Sequence, residues 1–158
     1  MTHAMIRFAI IVSLFALTAC SMSDAPQSSV YEVRGSTTER VAGVSAIITK
    51  HKSPQTAILD AYFVEEQTGD GVLGPSDFRA FCTLVIASED VSQWTRILTP
   101  LEAMTEYNAP AQLRDWWIGR DTFASLQFYK PNILTGRVNG WIGVSQQTGR
   151  IYFYTFTM

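Results

Sequence analysis

Gly140-Trp-Ile-Gly-Val-Ser-Gln-Gln-Thr-Gly-Arg-Ile-Tyr-Phe-Tyr-Thr-Phe156 reads as two strands joined by a tight turn. Residues 138–145 and 150–157 flank Gln146-Gln-Thr-Gly149, and Gly149 supplies the left-handed residue that such a turn often needs. β-Branched and aromatic residues fill both arms, as suits a pleated surface packed against other side chains. Successive side chains of a strand point to opposite faces. Ile151 and Phe153 therefore point one way, and Tyr152, Tyr154 and Phe156 the other. One buried side cannot absorb aromatics on both. Either both faces are covered, or one presents a rigid aromatic platform to a glycan or a protein.

Working back along the chain, residues 57–66 and 77–87 read as two further strands. Leu59, Ala61 and Phe63 alternate with Ile58, Asp60, Tyr62 and Val64. The connection 67–76 holds three glycines and a proline and reads as a loop. A turn of helix over 121–125 precedes a short strand through Tyr129. Ser36-Thr-Thr-Glu39 matches a capping box, and Val41, Val44 and Ile48 follow at helical spacing, which predicts a helix over 37–51. Ser88-Glu-Asp90 opens a second helix with Ser88 as its N-cap and Val91, Trp94, Leu98 and Leu101 on one face, limited by Pro100. Residues 102–120 follow no period. The expected fold is α+β, an antiparallel sheet of four or five strands with two or more helices packed on one face, in a single domain over 36–158 without internal repeats.

The N-terminus is of another kind. His3 and Arg7 precede an apolar run from Phe8 to Leu17. At about ten residues it is too short to span a bilayer, which takes roughly twenty. A charged start, a short apolar core and small residues after it are the layout of a cleavable secretory signal over residues 1–19. Leu17-Thr18-Ala19-Cys20 resembles the lipobox of bacterial lipoproteins. The resemblance implies cleavage before Cys20, a diacylglycerol thioether on Cys20, and attachment to the membrane through that lipid. It also implies a place in the bacterial cell envelope. Ser21 in place of an aspartate leans toward the outer membrane, facing the periplasm, in a Gram-negative cell. Beyond the lipobox the chain resembles no named family. Residues 20–35, rich in serine and with Pro26, read as a flexible tether.

Of the 158 residues, 14 are acidic and 12 are lysine or arginine. All the acids and all the basic residues but Arg7 lie after the signal, which leaves a mild net charge of −3. No basic stripe is present to neutralise phosphates, so nucleic acid is not an expected partner. With Cys20 lipidated, Cys82 is the one thiol remaining and no intrachain disulfide can form. Its setting, Phe78-Arg-Ala-Phe-Cys-Thr-Leu-Val-Ile86, suits a buried thiol acting as a small hydrophobe.

The residues that carry chemistry are sparse. Gly69-Asp-Gly-Val-Leu-Gly74 has the spelling of a dinucleotide-binding turn, but Pro75 and a strand-like run follow where a helix is needed. His51, the one histidine after cleavage, stands between Lys50 and Lys52, and reads as a surface residue. One histidine and one cysteine cannot make a multi-histidine or thiolate zinc site, and a Ser-His-Asp or Cys-His arrangement would have to recruit His51. Glu65 and Glu66 are adjacent and point to opposite faces of a strand. No catalytic residue, metal site or cofactor site can be nominated. Aromatics are what the chain has in excess, and adjacent tryptophans beside arginines suit an interface. The candidate binding surface is therefore Arg114, Trp116, Trp117 and Arg120, with Tyr129 and Trp141 as stacking surfaces. The reading is a lipid-anchored, non-catalytic binding protein, an accessory or inhibitory module for another envelope protein. The alternatives are a cell-wall glycan binder and, third, a hydrolase of envelope polymers built from dispersed carboxylates.

Overall fold

The computed structural model describes residues 28–48, 53–68, 77–103 and 105–157. The lipobox with Cys20, the glycine loop 69–74 and His51 lie outside the described residues.

Six antiparallel strands form one sheet in the order β1-β2-β3-β6-β5-β4. They are β1 (Ser28–Val33), β2 (Ile58–Thr68), β3 (Asp77–Ile86), β4 (Gln127–Tyr129), β5 (Gly140–Ser145) and β6 (Arg150–Phe156). The α-helices among the described residues are α1 (Thr37–Ile48), α2 (Val91–Thr95), α3 (Arg120–Phe123) and α4 (Asn132–Thr135). The expected α+β class with an antiparallel sheet is correct, with one strand more than the upper expectation. The closing hairpin is formed by β5 and β6, and Gly149 sits in its turn at φ 62°.

The extra strand is β1, which lies in the stretch read as tether. Its Ser28-Ser29 start resembles linker, yet Val30 to Val33 alternates and pairs with β2, Val33 opposite Phe63 and Ser28 opposite Thr68. The ordered domain therefore takes in Ser28–Val33, ahead of the expected boundary at 36. The second helix is also shorter than expected. Residues Ser88–Asp90 form a 3-10 turn without a side-chain cap from Ala87, and α2 ends at Thr95. Extended pairing competes with it: Lys130 N–H donates to Thr99 O at 2.9 Å and Leu101 N–H to Phe128 O at 3.0 Å. The capping box of α1 is present, with the Glu39 carboxylate accepting from the Ser36 N–H and hydroxyl at 2.8 Å each.

Both faces of the sheet are covered, which resolves the alternation of the last hairpin. On one face α1, α2 and α4 bury Val44, Val91, Trp94 and Leu134 against Leu84, Ile142, Ile151 and Phe153. On the other, residues 107–126, including α3, lay Trp116, Trp117 and Phe123 over Phe81, Trp141, Tyr152 and Tyr154. This second layer has almost no regular structure, so its backbone needs other partners. Thr83, fully buried, donates its hydroxyl to Trp116 O at 3.2 Å. The Tyr107 hydroxyl donates to Ile118 O at 2.9 Å, and Glu66 accepts the Ala111 N–H at 2.6 Å.

Candidate functional site

The candidate surface predicted from sequence is mostly core. Trp117 is 6 % exposed, Trp141 2 %, and Trp116 and Tyr129 9 % each. The adjacent tryptophans are both buried because their rings diverge, 6.0 Å apart at 88°. Trp116 stacks on Tyr62 at 5.6 Å, while Trp117 enters the space between Phe81, Trp141 and Tyr152 and donates its Nε1–H to Asn108 O at 2.9 Å. Tyr129 belongs to the helical-side core and Trp141 to the opposite one, so they cannot form one stacking surface. Arg120 is exposed and lies over the Tyr107 ring at 4.8 Å. The tryptophan surface and the Trp141–Tyr129 glycan platform are accordingly corrected to internal packing. Cys82 is 2 % exposed, and burial pushes its thiol well above its ordinary pKa, which keeps it neutral.

Arg114 and Trp116 do line a site, with partners that sequence reading missed. β1 ends at Val33, opposite Phe63, so the start of β2 pairs with β3 on one side and, among the described residues, has no strand on the other. Arg40 of α1 reaches that bare stretch and ties Asp60 to the helical layer. Its Nη2 lies 2.7 and 2.8 Å from the two carboxylate oxygens, and its guanidinium stands 4.8 Å from the Tyr62 ring centre. Asp60 also accepts the Tyr62 hydroxyl and the Ala61 N–H, each at 2.8 Å. On the far side of the Tyr62–Trp116 stack, Glu32 accepts from Arg34 at 2.8 Å and more weakly from Arg114 at 3.4 Å. Glu32, Arg34, Arg40, Tyr62, Arg114 and Asp115 line an open cleft of about 310 Å³, with Asp60 held by Arg40 and Tyr62 but outside the lining.

Its electrostatics are set by ion pairs and hydrogen bonds within the fold. Burial alone would raise the Asp60 pKa, but the Tyr62 hydroxyl, the Arg40 guanidinium and the Ala61 N–H together hold it below its ordinary value. The same bond to Asp60, with burial, raises the Tyr62 pKa. Both Asp60 oxygens are committed to donors, so this carboxylate is a clamp rather than a general base. The Arg114 Nε is buried without a hydrogen-bond partner, which leaves a donor for any group that enters and shifts this side chain. A carboxyl whose folded pKa is depressed stabilises the fold above its unfolded value of about 3.9, and that contribution is lost as pH falls through the folded value. Wild-type stability is thus expected to fall below about pH 4. Asp60→Asn is expected to flatten that acid limb in urea unfolding at pH 3 to 6, and an unchanged limb would remove Asp60 from the account.

Beside the cleft, β1 is an edge strand whose outer side no strand pairs among the described residues. Val30 and Tyr31 are 60 % and 58 % exposed on it. The opposite edge differs. There the segment around Pro100 bridges to Tyr129 and covers β4.

Comparison with protein families, with curated proteins and with solved structures finds no match. Among the described residues no helix is long and apolar enough to cross a membrane, and no cluster of three metal-ligating side chains is present.

Proposed function

We propose that this protein is a lipid-anchored, non-catalytic binding module of the bacterial cell envelope, an accessory or inhibitory partner that takes an extended segment of another envelope protein along β1. The observation that carries this reading is the asymmetry of the two sheet edges. Natural sheets guard their edges with charge, proline or a covering loop, because an open edge is a template for another strand. The β4 edge has such a cover. The β1 edge has none among the described residues and adds two exposed apolar side chains. A strand docked there gains main-chain hydrogen bonds for affinity, with side-chain pockets for specificity. The charged cleft lined by Arg34, Arg114 and Asp115 is such a pocket. Attachment through Cys20 would hold β1 near the membrane surface, eight residues from the lipid.

The test is crosslinking in intact envelopes with a photoreactive residue at Tyr31 or at Val138, another exposed apolar position. A discrete protein adduct is expected from Tyr31 and none from Val138. Val30→Lys with Tyr31→Lys is expected to reduce capture of that partner about tenfold or more with the fold intact, since edge lysines oppose strand addition. Undiminished capture by the double variant would overturn the proposal.

A further inference from the structure

A second site lies within the helical-side layer and shares Phe63, the partner of Val33 in β1, with the cleft. Ile48 of α1 and Phe63, Ala80, Cys82 and Phe153 of the sheet surround a chamber of about 260 Å³. These side chains and Ile47, the neutral Cys82 thiol among them, give it apolar walls, and Thr135, Arg137 and Thr155 give it a polar one. An apolar cavity of about 150 Å³ stays dry and accepts benzene, so this one has room for a chain of about eight carbons. Arg137 is the one cation that lines it among the described residues. Its side chain is 33 % exposed, and it is held by Glu65 at 2.6 Å and by the Thr155 hydroxyl at 3.3 Å. A guanidinium carries five N–H donors in a rigid fork, so these two contacts fix its direction and leave donors for an acceptor oxygen at the rim.

We propose that this chamber binds a medium-length acyl chain, its methyl end among Ala80, Cys82 and Phe153 and its acyl oxygen on Arg137. A largely apolar slot with an oriented donor group beside it is the usual form of a small-molecule site, in which apolar walls supply affinity and a few polar groups set direction. Glu65 makes Arg137 part of a neutral pair, so the site suits an acyl oxygen of a free carboxylate or of an ester. Ala80 is paired with both Glu65 and Thr155, so any larger side chain there would occupy the space beside the guanidinium that the chain needs.

Titration calorimetry and methyl NMR of Ile47 and Ile48 with octanoate, and separately with methyl octanoate, test this. Saturable binding of at least one probe is expected, with shifts at Ile48. Ala80→Leu is expected to weaken it about tenfold by filling the chamber. Ile47→Trp, which fills from the helix side, is a second variant should Ala80→Leu fail to fold. Arg137→Met is expected to weaken whichever probe binds, by about threefold to tenfold, the worth of one hydrogen bond. Binding of octanoate alone would assign a free acid, and of the ester alone an esterified lipid; either supports the proposal. No binding of either probe, or equal binding by the chamber-filling variants, would overturn it.

Discussion

Trp117→Ala is expected to remove about 4 kcal/mol of folding stability, the usual cost of emptying a large buried aromatic site. The ring stands 5.3 Å from Phe81, 5.8 Å from Trp141 and 5.7 Å from Tyr152, and nothing behind it can move into the space without uncoupling residues 107–126 from the sheet. The lost Nε1–H also leaves Asn108 O without its donor. Net stabilities of single domains are about 5 to 15 kcal/mol, so such a loss brings the variant near its unfolding threshold. Urea unfolding followed by far-ultraviolet circular dichroism measures it. Trp117→Phe restores part of the packing but not the hydrogen bond, and an intermediate loss is expected. A cost below about 1 kcal/mol would place the ring outside a packed layer. The same argument applies to Trp116, whose carbonyl anchors on Thr83. Alanine substitutions at the tryptophan pair therefore report on folding, and the β1 substitutions are the ones that can separate binding from stability.

The parts of the fold that were legible in the sequence are those in which the signal is local. The closing hairpin has period two and a turn glycine within seventeen residues, and α1 has its cap and its apolar face within thirteen. β1 was obscured by its own composition, since Ser28-Ser29 after a proline reads as linker and only a pairing with β2 makes it strand. Residues 102–120 were illegible for a deeper reason. Nothing periodic holds them; they are fixed by side chain–backbone bonds across 9 to 45 positions, such as Trp117 to Asn108, Tyr107 to Ile118 and Ala111 to Glu66. The cleft has the same character. Arg40 and Asp60 are 20 residues apart on different elements, and no spacing rule connects them. Trp116 and Trp117 mislead because adjacent tryptophans beside arginines suit an interface, whereas an irregular backbone sends the two rings into different parts of one core. Exposure could not be read from residue type there, and the open edge emerged only with the order of the strands.

Gly140→Ala is expected to cost about 3 kcal/mol, the joint effect of a backbone conformation foreign to alanine and of a clash that no rotamer relieves. Gly140 opens β5 at φ 117°, and a Cβ built there would lie 1.9 Å from Tyr154 O and 2.8 Å from Thr155 Cα. Both obstacles are backbone of the partner strand β6, so the ladder itself would have to part. The site of the damage matters as much as its size. Trp141 and Ile142, the next two residues, enter opposite cores, one among the aromatics and the other under the helices. A shift at the start of β5 therefore disturbs both layers at once. Gly143, in the same strand, is the internal comparison. A Cβ there would meet Leu126 Cδ1 at 2.6 Å, the end of a flexible side chain that can turn away. Gly143→Ala is expected to cost less than half as much. Urea unfolding of the two variants side by side reads the difference directly. Equal losses would mean that the cost at Gly140 is crowding alone, and the account of β5 as the strand whose start sets both cores would not stand.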